Sequence, residues 1–385
     1  MADDRGTHAS PLGDLVVLVA AGDVLLPDAL ARLALEADLD PLCDVFYTDE
    51  EQESTGGRAP QRFLKPDWSP ELLLSMPYVL HCLGLRRDLF LQLGGLDSQS
   101  DEAAVHAFAL RATTSARGIA HLPRVLCRRP AAIDVELDAG LGVVAEAAAR
   151  LAPPARAASG FEPGTYRLVR RRRGRPPVTL VVISRDPVTH IHGRGELRIL
   201  ANFLTSIVER STYPDYQVLV ADDGELSEET LVAMSLVGAR RVSIPRFAGP
   251  QEAFNFSRKV NFALEQIETE HFVLLNDDLE VITPEWIEAL MDYAVIPDVG
   301  AVGAHLVFAD GLTQHAGVIA GGPDGPTHRF YMLPQDAVDD HGPAKVVRDF
   351  SAVTAAVLAS RREVVAAAGP FDEALALNYN DVDFC

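Results

Sequence analysis

The chain has 385 residues, of which 48% are hydrophobic and 23% charged, and its formal net charge is −21. This length and composition predict one large or two ordinary globular domains. The negative charge argues against nucleic acid as a partner, because an acidic surface repels phosphate groups. The four cysteines are scattered without paired spacing, which argues against a disulfide framework or a zinc site and favours a reducing compartment.

Neither a membrane-spanning segment nor a signal peptide is predicted. The apolar runs stay below the roughly 18 to 20 residues that span a bilayer. The polar residues 1–10 lack the apolar core of a signal peptide. We therefore expect a cytoplasmic protein.

The first predicted elements form a pattern that returns later in the chain. Residues 14–30 are typical of an apolar strand, a turn and a helix that starts at a proline, and residues 271–287 have the same order. Residues 86–97 and 361–372 form a second matched pair at a similar spacing. Two matched blocks in one order predict an internal repeat of an α/β domain. The first copy, residues 1–165, is partial because it lacks the opening strands.

A basic segment separates the two copies. Six arginines lie between residues 167 and 175, just before Pro176-Pro177. A proline pair cannot continue a helix and is disfavoured in a central strand, so residues 166–177 are predicted to be a linker. Peripheral contact with anionic lipid at the inner membrane is the alternative, although charge runs are more often simply solvated.

Strands and helices alternate through the second copy, residues 178–385. The predicted strands are 178–183, 218–220, 242–244 and 272–275. Two of the predicted helices are 197–208 and 257–267. Ser227 is predicted to cap a third helix, and Thr283 a fourth whose first residue is Pro284. Continuous apolar strands with intervening helices predict a mostly parallel sheet covered on both faces. Ligands of such sheets bind beyond the carboxyl ends of the strands.

Polar residues collect at three of these strand ends. They are Ser184-Arg185-Asp186, Asp222-Asp223 and Asn276-Asp277-Asp278. Carboxylates in this position suit a hard divalent cation that also binds substrate phosphates. An isolated Asp pair more often serves a turn or a helix cap, but three polar strand ends together favour a site. The first copy has Ala20-Ala21-Gly22 at the turn that matches Asn276-Asp277-Asp278, with Asp23 just after.

Seven segments in one order resemble the family 2 glycosyltransferases, in particular bacterial enzymes that build surface polysaccharides with two such domains in tandem. The segments are residues 181–186, 213–216, 220–224, 254–258, 274–278, 314–318 and 371–385. Residues 47–50 and 63–70 resemble the later part of the same kind of domain. The resemblance implies a GT-A fold, which is a Rossmann-like sheet, nearly complete in the second copy and partial in the first.

The resemblance also implies a nucleoside-diphosphate sugar as donor and Mg²⁺ or Mn²⁺ as cofactor. Carried over by motif, the donor site consists of Ser184, Arg185 and Asp186 along the nucleotide, Asp222 at the base or ribose, Asp277 at the ribose, Asp278 and Asn276 at the metal, and Arg258 at the pyrophosphate. Many members have Asp where this chain has Asn276. The alternatives are a turn carboxylate for Asp222 and a solvated helix position for Arg258.

The same resemblance makes Asp381 the general base, in the second place of a Glu-Asp motif whose first place is Asn380 here. Asp383 is the second candidate, and a helix N-terminal carboxylate is the alternative for both. The implied reaction is a single inverting displacement onto a hydroxyl of a glycan or lipid-linked glycan. His315 and His328 lie between the metal motif and the base, where they either reach the substrates or are structural.

Several features depart from the family. The loop at residues 187–195 is longer than usual, and its His190 and His192 are either exposed or metal ligands. The chain ends at Cys385, before the helix and the histidine-containing segment with which the family continues, so we expect a fragment at both ends. A catalytically inactive scaffold or binding module is therefore the alternative function. A dinucleotide-dependent oxidoreductase is disfavoured because no GxGxxG follows Ile183.

Overall fold

The computed structural model describes residues 13–54, 59–96, 100–130, 139–170, 174–191, 194–222, 224, 226–245, 254–321 and 325–385. Asp223, His192 and residues 171–173 of the basic segment lie outside these ranges. The chain divides into two compact units. Unit 1 is Met1–Arg171 with Asp336–Asp349, and unit 2 is Arg172–Gln335 with Phe350–Cys385.

The elements of unit 1 come first in the chain. Its strands are β1 (Leu15–Leu18), β2 (Val24–Leu25), β3 (Val45–Gln52), β4 (Gln61–Phe63), β5 (Leu83–Arg86), β6 (Ile119–Arg129), β7 (Ala155–Ser159) and β8 (Tyr166–Arg170). Its helices are α1 (Ala29–Leu39), α2 (Pro70–Ser75), α3 (Arg87–Gln92), α4 (Glu102–Ser115) and α5 (Ala139–Ala149). The main sheet has the order β1-β5-β3-β6-β2 with β4 on β3, and β7 pairs with β8 in a separate hairpin.

Unit 2 follows. Its strands are β9 (Val178–Ser184), β10 (Val188–Ile191), β11 (Gly195–Arg198), β12 (Tyr216–Asp222), β13 (Arg240–Ser243), β14 (His271–Leu275), β15 (Val302–Gly303), β16 (Leu306–Val307), β17 (Thr313–His315), β18 (Val318–Ile319), β19 (Thr327–His328) and β22 (Val357–Arg361). The hairpin of β20 (Val338–Asp339) and β21 (Gly342–Pro343), which precedes β22 in the chain, belongs to unit 1. Its helices are α6 (Ile199–Arg210), α7 (Glu228–Val237), α8 (Phe256–Leu264), α9 (Trp286–Ala294), α10 (Arg362–Ala368) and α11 (Asn380–Phe384). None of the helices in the described ranges is long and apolar enough to cross a membrane.

The main sheet of unit 2 has the order β13-β12-β9-β14-β22-β15. Strands β13, β12, β9 and β14 are parallel, whereas β22 is antiparallel to both of its neighbours. Successive side chains of β9 point to opposite faces: Leu180 and Val182 pack with α6, α7 and α9, and Val181 packs with α8. The predicted mostly parallel sheet with helices on both faces is therefore observed.

The two predicted helix caps have different outcomes. Ser227 caps α7, since its hydroxyl oxygen accepts the Thr230 N–H at 3.2 Å. The prediction for Thr283 was wrong, because α9 begins only at Trp286. The Thr283 carbonyl, rather than its hydroxyl, accepts the Trp286 N–H at 3.2 Å, so residues 283–286 form a turn ahead of the helix.

The predicted linker differs from the structure in its first five residues. Tyr166–Arg170 is strand β8, paired with β7 inside unit 1. Alternation along β8 buries Tyr166 and Arg170, whereas Arg167 is exposed. The buried Arg170 lies 3.8 Å from Glu71 and is therefore not a lipid contact. A run of arginines is expected to be solvated, but the period-two alternation of β8 places Arg170 in the interior.

The matched segments of the two copies adopt the same arrangement. In unit 1, β5 lies between β1 and β3 and is antiparallel to both. In unit 2, β22 lies in the same way between β14 and β15 and is antiparallel to both. Equivalent backbone bonds, both 2.9 Å, join Arg87 N–H to Asp14 O and Arg362 N–H to Glu270 O. This register places Ala20-Ala21-Gly22 of unit 1 at the positions of Asn276-Asp277-Asp278 in unit 2.

An arginine at the end of the repeated strand performs the same structural task in both units. Helix carboxyl ends leave carbonyls without intrahelical partners, and an arginine is suited to collect them. Arg86 donates to carbonyls of Ala37, Asp40 and Cys43, in the last turn of α1 and just after it. Arg361 donates to those of Ala294, Ile296, Pro297 and Val299, at the last residue of α9 and just after it. Sequence analysis matched the arginines but did not anticipate their shared role.

Replacing Arg361 by methionine is expected to lower the free energy of unfolding by about 3 kcal/mol, because buried carbonyls lose a charged donor. Chemical denaturation of unit 2 signals measures the change. The matched control is Arg362→Met at the exposed neighbouring position, which should change stability by less than about 0.5 kcal/mol. Equal losses for the two variants would contradict the capping role.

Candidate active site

The site lies at the carboxyl edge of the unit 2 sheet. Parallel strands β9, β12 and β14 all end at this edge, with Ser184 and Asp222 paired in register. Because β22 is antiparallel, it begins where β14 ends, and Leu275 pairs with Val357. The residues just before β22 therefore meet the acidic motif that follows β14.

Three consecutive residues before β22, Thr354–Ala356, connect distant parts of the site. The Asn276 N–H donates to the Ala356 carbonyl at 3.0 Å. The Ala355 N–H donates to Asp381 Oδ2 at 3.0 Å. One short backbone segment thus holds both the acidic motif and the predicted base. The sequence offered no signal for residues 354–356, which are small and mostly apolar.

Asp277 is the part of the acidic motif in closest contact with β9. The Ser184 hydroxyl donates to its Oδ2 atom. Burial raises the pKa of Asp277; the Ser184 hydrogen bond opposes this shift, and the negative charges of Asp278 and Asp186 add to it. The site therefore disfavours further negative charge unless a cation is close by.

Asp277→Asn is expected to raise the melting temperature of the protein at pH 7 in buffer with EDTA. The pKa of Asp277 is raised in the folded state, so above the ordinary pKa the unfolded chain ionises more readily and the carboxylate costs stability. The gain should shrink as the pH falls through the raised pKa of the folded state and disappear only below about 4, where the unfolded chain also holds the proton. Asp298→Asn, at an exposed position, is the control; a gain for Asp277→Asn that persists unchanged at low pH would refute this origin.

The chemistry of the motif fits a hard cation only in part. Asp278 is exposed and Asn276 half-buried, so both side chains offer oxygen atoms at the edge. Among the described residues, no group of three or more His, Cys, Asp or Glu side chains is arranged to hold a metal. These residues would therefore supply part of a ligand set, and substrate phosphate oxygens would have to complete it.

Asp186 is buried, and its carboxylate is fully engaged. Its Oδ1 accepts the Thr230 hydroxyl at 2.6 Å and its Oδ2 the Ser227 N–H at 2.7 Å. Burial opposes ionisation, but these hydrogen bonds prevail and lower the pKa of Asp186. The residue thereby ties the end of β9 to the amino end of α7. The predicted nucleotide contact at this position would have to come from its surroundings rather than from its carboxylate.

Asp222 is fully buried and forms a bidentate ion pair with Arg241 on β13. The Arg241 Nε lies 2.7 Å from Oδ2, and a terminal nitrogen lies 2.8 Å from Oδ1. The same guanidinium donates to the Gly224 carbonyl at 3.0 Å, so it also shapes the turn after β12. Sequence analysis missed Arg241, although it directly precedes the predicted strand 242–244.

The predicted pyrophosphate arginine also has an acidic partner. Arg258 Nε donates to Glu373 Oε2 at 2.8 Å, while Asn255 caps α8 by accepting the Arg258 N–H at 2.9 Å. Two further cations lie nearby: the Arg185 guanidinium is 5.1 Å and the Lys259 ammonium 4.6 Å from the centre of the Phe254 ring. This end of the sheet is therefore richer in positive charge than sequence analysis anticipated.

Of the two candidate bases, only Asp381 reaches the segment before β22. Its Oδ2 accepts from Ala355 and its Oδ1 from the Val382 N–H at 3.0 Å. Asp383 is exposed on α11. The arrangement orients the Asp381 carboxylate toward the edge at which the acidic motif lies.

The two candidate histidines are adjacent. His315 is buried, and its Nδ1 lies 2.9 Å from Nδ1 of the exposed His328. Its Nε2 accepts the Thr354 N–H at 3.4 Å. Burial and then the charges of His328 and His305 lower the pKa of His315 to about 3, so it is neutral at physiological pH. His190 is exposed on β10 and is not near these residues in any described contact.

Comparison with known proteins gives consistent matches. Residues 192–352 match the family model described as glycosyl transferase family 2. The chain is 33% identical over 383 residues to the O-antigen biosynthesis protein RfbC of Myxococcus xanthus, covering 96% of this chain and 29% of that protein. It is 30% identical over 389 residues to the uncharacterized protein y4gI of Sinorhizobium fredii (strain NBRC 101917 / NGR234), covering 97% and 42%. The chain thus spans less than half the length of these curated relatives.

Solved structures with similar folds are more distant. The mannosyltransferase PcManGT from Pyrobaculum calidifontis, in complex with GDP-Man and Mn²⁺, aligns with a TM-score of 0.34 and 17% identity over 55% of this chain and 51% of that one. TarS from S. aureus aligns with a TM-score of 0.30 and 14% identity, covering 54% and 32%.

Proposed function

Because residues 192–352 match the model of glycosyl transferase family 2 and the chain is 33% identical to an O-antigen biosynthesis protein, we propose that unit 2 transfers a sugar from a nucleoside-diphosphate sugar to a hydroxyl of a growing glycan. The family match and the mixed sheet of unit 2 confirm the predicted GT-A fold. The donor, the inverting course and the metal are parts of the proposal.

One observation carries this proposal. The segment Thr354–Ala356 holds the acidic motif through Asn276 and the candidate base through Asp381, each at 3.0 Å. A glycosyl transfer needs a base for the acceptor proton and, close to it, a group that holds the leaving diphosphate. Residues more than 100 positions apart supply both requirements at one edge of the sheet.

On the donor side, Ser184 and Asp277 would contact the ribose. Asp222, which is fully buried, would act at the base or ribose through its partner Arg241. Asp278 and Asn276 would hold Mg²⁺ or Mn²⁺ together with diphosphate oxygens. When bound, the ion supplies positive charge that stabilises the departing diphosphate. Arg185, Lys259 and Arg258 add positive charge from the protein at the same end of the sheet, and Arg258 would exchange Glu373 for the pyrophosphate.

On the acceptor side, Asp381 would remove the proton of the attacking hydroxyl. The N–H groups of Ala355 and Val382 each occupy one lone pair on a different oxygen of the Asp381 carboxylate. The remaining lone pairs can accept a hydrogen bond from the acceptor hydroxyl. As the acceptor oxygen bonds to the anomeric carbon, the bond from that carbon to the diphosphate oxygen breaks. Attack opposite the leaving group in one displacement inverts the anomeric centre.

Unit 1 is proposed to be a non-catalytic scaffold. Its equivalent of the acidic motif is Ala20-Ala21-Gly22, and the segment that roughly matches Asn380-Asp381-Val382-Asp383 is Ala104-Val105-His106-Ala107, which carries no carboxylate. His106 in this segment donates from Nε2 to the Leu73 carbonyl of α2 at 2.9 Å. The buried Lys65 ammonium lies 2.7 Å from the buried Glu50 carboxylate, so this acidic side chain is already paired inside the unit. These contacts favour a structural role for the unit.

The acceptor is proposed to be a glycan or a lipid-linked glycan, reached from the cytoplasmic face of the inner membrane. Arg167 and Arg175 remain exposed and offer the peripheral contact considered for the basic segment. Arg175, however, is paired with Glu288 at 2.9 Å, which favours a purely structural linker. Co-sedimentation with anionic vesicles tests the contact.

The experiment that tests the donor site is a thermal melt with UDP, GDP or dTDP, with and without Mn²⁺ or Mg²⁺. At one hundred times Kd, a bound nucleotide should stabilise the protein by about 2.7 kcal/mol. We expect one of the nucleotides to raise the melting temperature only with metal. If no combination does so, unit 2 has no donor site and a binding or scaffold function for the whole chain replaces the proposal.

A further inference from the structure

Unit 2 has a cluster of aromatic rings outside the residues assigned above to the proposed donor site. Tyr331 is 55% exposed. Its ring centre lies 6.0 Å from that of the half-buried Phe308, edge to face, and 6.4 Å from that of the exposed His328. We call these three residues the aromatic shelf. Exposed adjacent rings of this kind on a soluble domain usually serve recognition.

The backbone that presents Tyr331 is strained on both sides. Phe330 and Met332 have positive φ angles of 60° and 61°, a left-handed conformation that is unfavourable for residues with side chains. Phe330 is buried, and the Met332 N–H bonds to Thr313 O at 2.9 Å, so the surroundings hold both residues in place. Tyr331 is thus held between two backbone-constrained neighbours.

The shelf is connected to the candidate base through a chain of hydrogen bonds. Thr354 N–H donates to His315 Nε2, so the proton of the neutral His315 is on Nδ1, which faces His328 Nδ1 at 2.9 Å. His328 accepts there and therefore carries its own proton on Nε2, as a donor. Thr354 is followed by Ala355, which holds Asp381. A group on the shelf is thus placed next to the segment that orients the base.

We propose that the aromatic shelf binds the acceptor sugar, with an apolar C–H face of a pyranose ring on Tyr331 and a sugar hydroxyl accepting from His328 Nε2. Sugar rings combine an apolar face with a polar rim, which an aromatic ring beside a hydrogen-bond donor matches. The continuity from His328 through Thr354 to Asp381 favours the acceptor over the donor as occupant. This inference rests on the proposed transferase function.

The test is saturation-transfer NMR of the full chain with three probes: methyl α-rhamnopyranoside, methyl α-galactopyranoside and methyl β-N-acetylglucosaminide. At least one probe should bind and receive saturation on its ring C–H protons. Tyr331→Ala should weaken its binding about tenfold, whereas Tyr331→Phe, which keeps the aromatic face, should stay within about twofold. His328→Ala should weaken it about threefold or more.

Phe161→Ala, at an exposed aromatic residue of unit 1, is the matched control and should bind the probe like the unsubstituted protein. If Tyr331→Ala does not fold, Tyr331→Leu gives the same comparison, because it retains bulk without a ring. The proposal is overturned if no probe binds, or if Tyr331→Ala or Tyr331→Leu binds as well as the unsubstituted protein. Nucleotide protection in the thermal melt is measured in parallel: its loss counts against the transferase function, and its retention with failed sugar binding counts against the shelf alone.

Discussion

Asp381→Asn is expected to lower kcat for sugar transfer by about 10²- to 10⁴-fold, the usual contribution of a general base. The amide oxygen of asparagine can still accept the Ala355 N–H, but the amide group cannot take a proton from the acceptor hydroxyl. Donor binding should be retained, because Asp381 touches the segment before β22 and not the acidic motif itself. Turnover with an identified donor and the nucleotide melt measure the two effects.

Asp383→Asn provides the control on the same helix. Asp383 is exposed and two positions away, so its substitution should leave kcat within about twofold. Normal turnover of Asp381→Asn together with a large loss for Asp383→Asn would reverse the assignment of the base. Loss of nucleotide protection in Asp381→Asn would instead show that the residue serves the donor.

Asp278→Ala is expected to abolish the metal-dependent part of nucleotide binding. The variant removes one of the two side chains that offer oxygen to a cation at this edge, and without the cation the negative diphosphate is repelled by the negative charge of Asp277 and Asp186. The stabilisation of about 2.7 kcal/mol at one hundred times Kd should fall to near zero. EDTA added to the unsubstituted protein should have the same effect.

The control for this variant is Asp298→Ala, at an exposed position of unit 2. It changes the net charge equally but should keep full metal-dependent protection. If Asp278→Ala retained the protection, another residue would hold the ion, and the half-buried Asn276 would be examined next. Protection that never depended on metal would remove Asp278 from the donor site.

The strands and helices of unit 2 follow closely from local sequence. Continuous apolar runs predicted β9, β12 and β14, and an apolar stripe predicted α6, because burial on one or both faces requires these periodicities. Boundaries were less predictable. At Thr283 the choice between hydroxyl and carbonyl as acceptor is decided by how the turn packs, and at Tyr166–Arg170 pairing with β7 overrode the solvated character of arginine.

The partners of the site residues were beyond local sequence. Asp186 bonds to Thr230, 44 residues away, and Asp222 to Arg241, 19 residues away. Arg258 bonds to Glu373, 115 residues away. Motif position identified these residues, but it could not tell whether a carboxylate faces a ligand or is already neutralised inside the fold. That depends on which side chains the folded chain brings within hydrogen-bond distance.

By itself, the sequence determined the α/β class of unit 2, the polar character of its strand ends and the contrast between Asn276-Asp277-Asp278 and Ala20-Ala21-Gly22. Those properties depend on residue type and spacing, which the chain carries locally. Only the tertiary structure decided that Asp381 meets the acidic motif through Thr354–Ala356. The reason is that β22 runs antiparallel to β14, so its first residues reach the edge at which β14 ends. Strand direction of this kind is set by packing across the whole sheet.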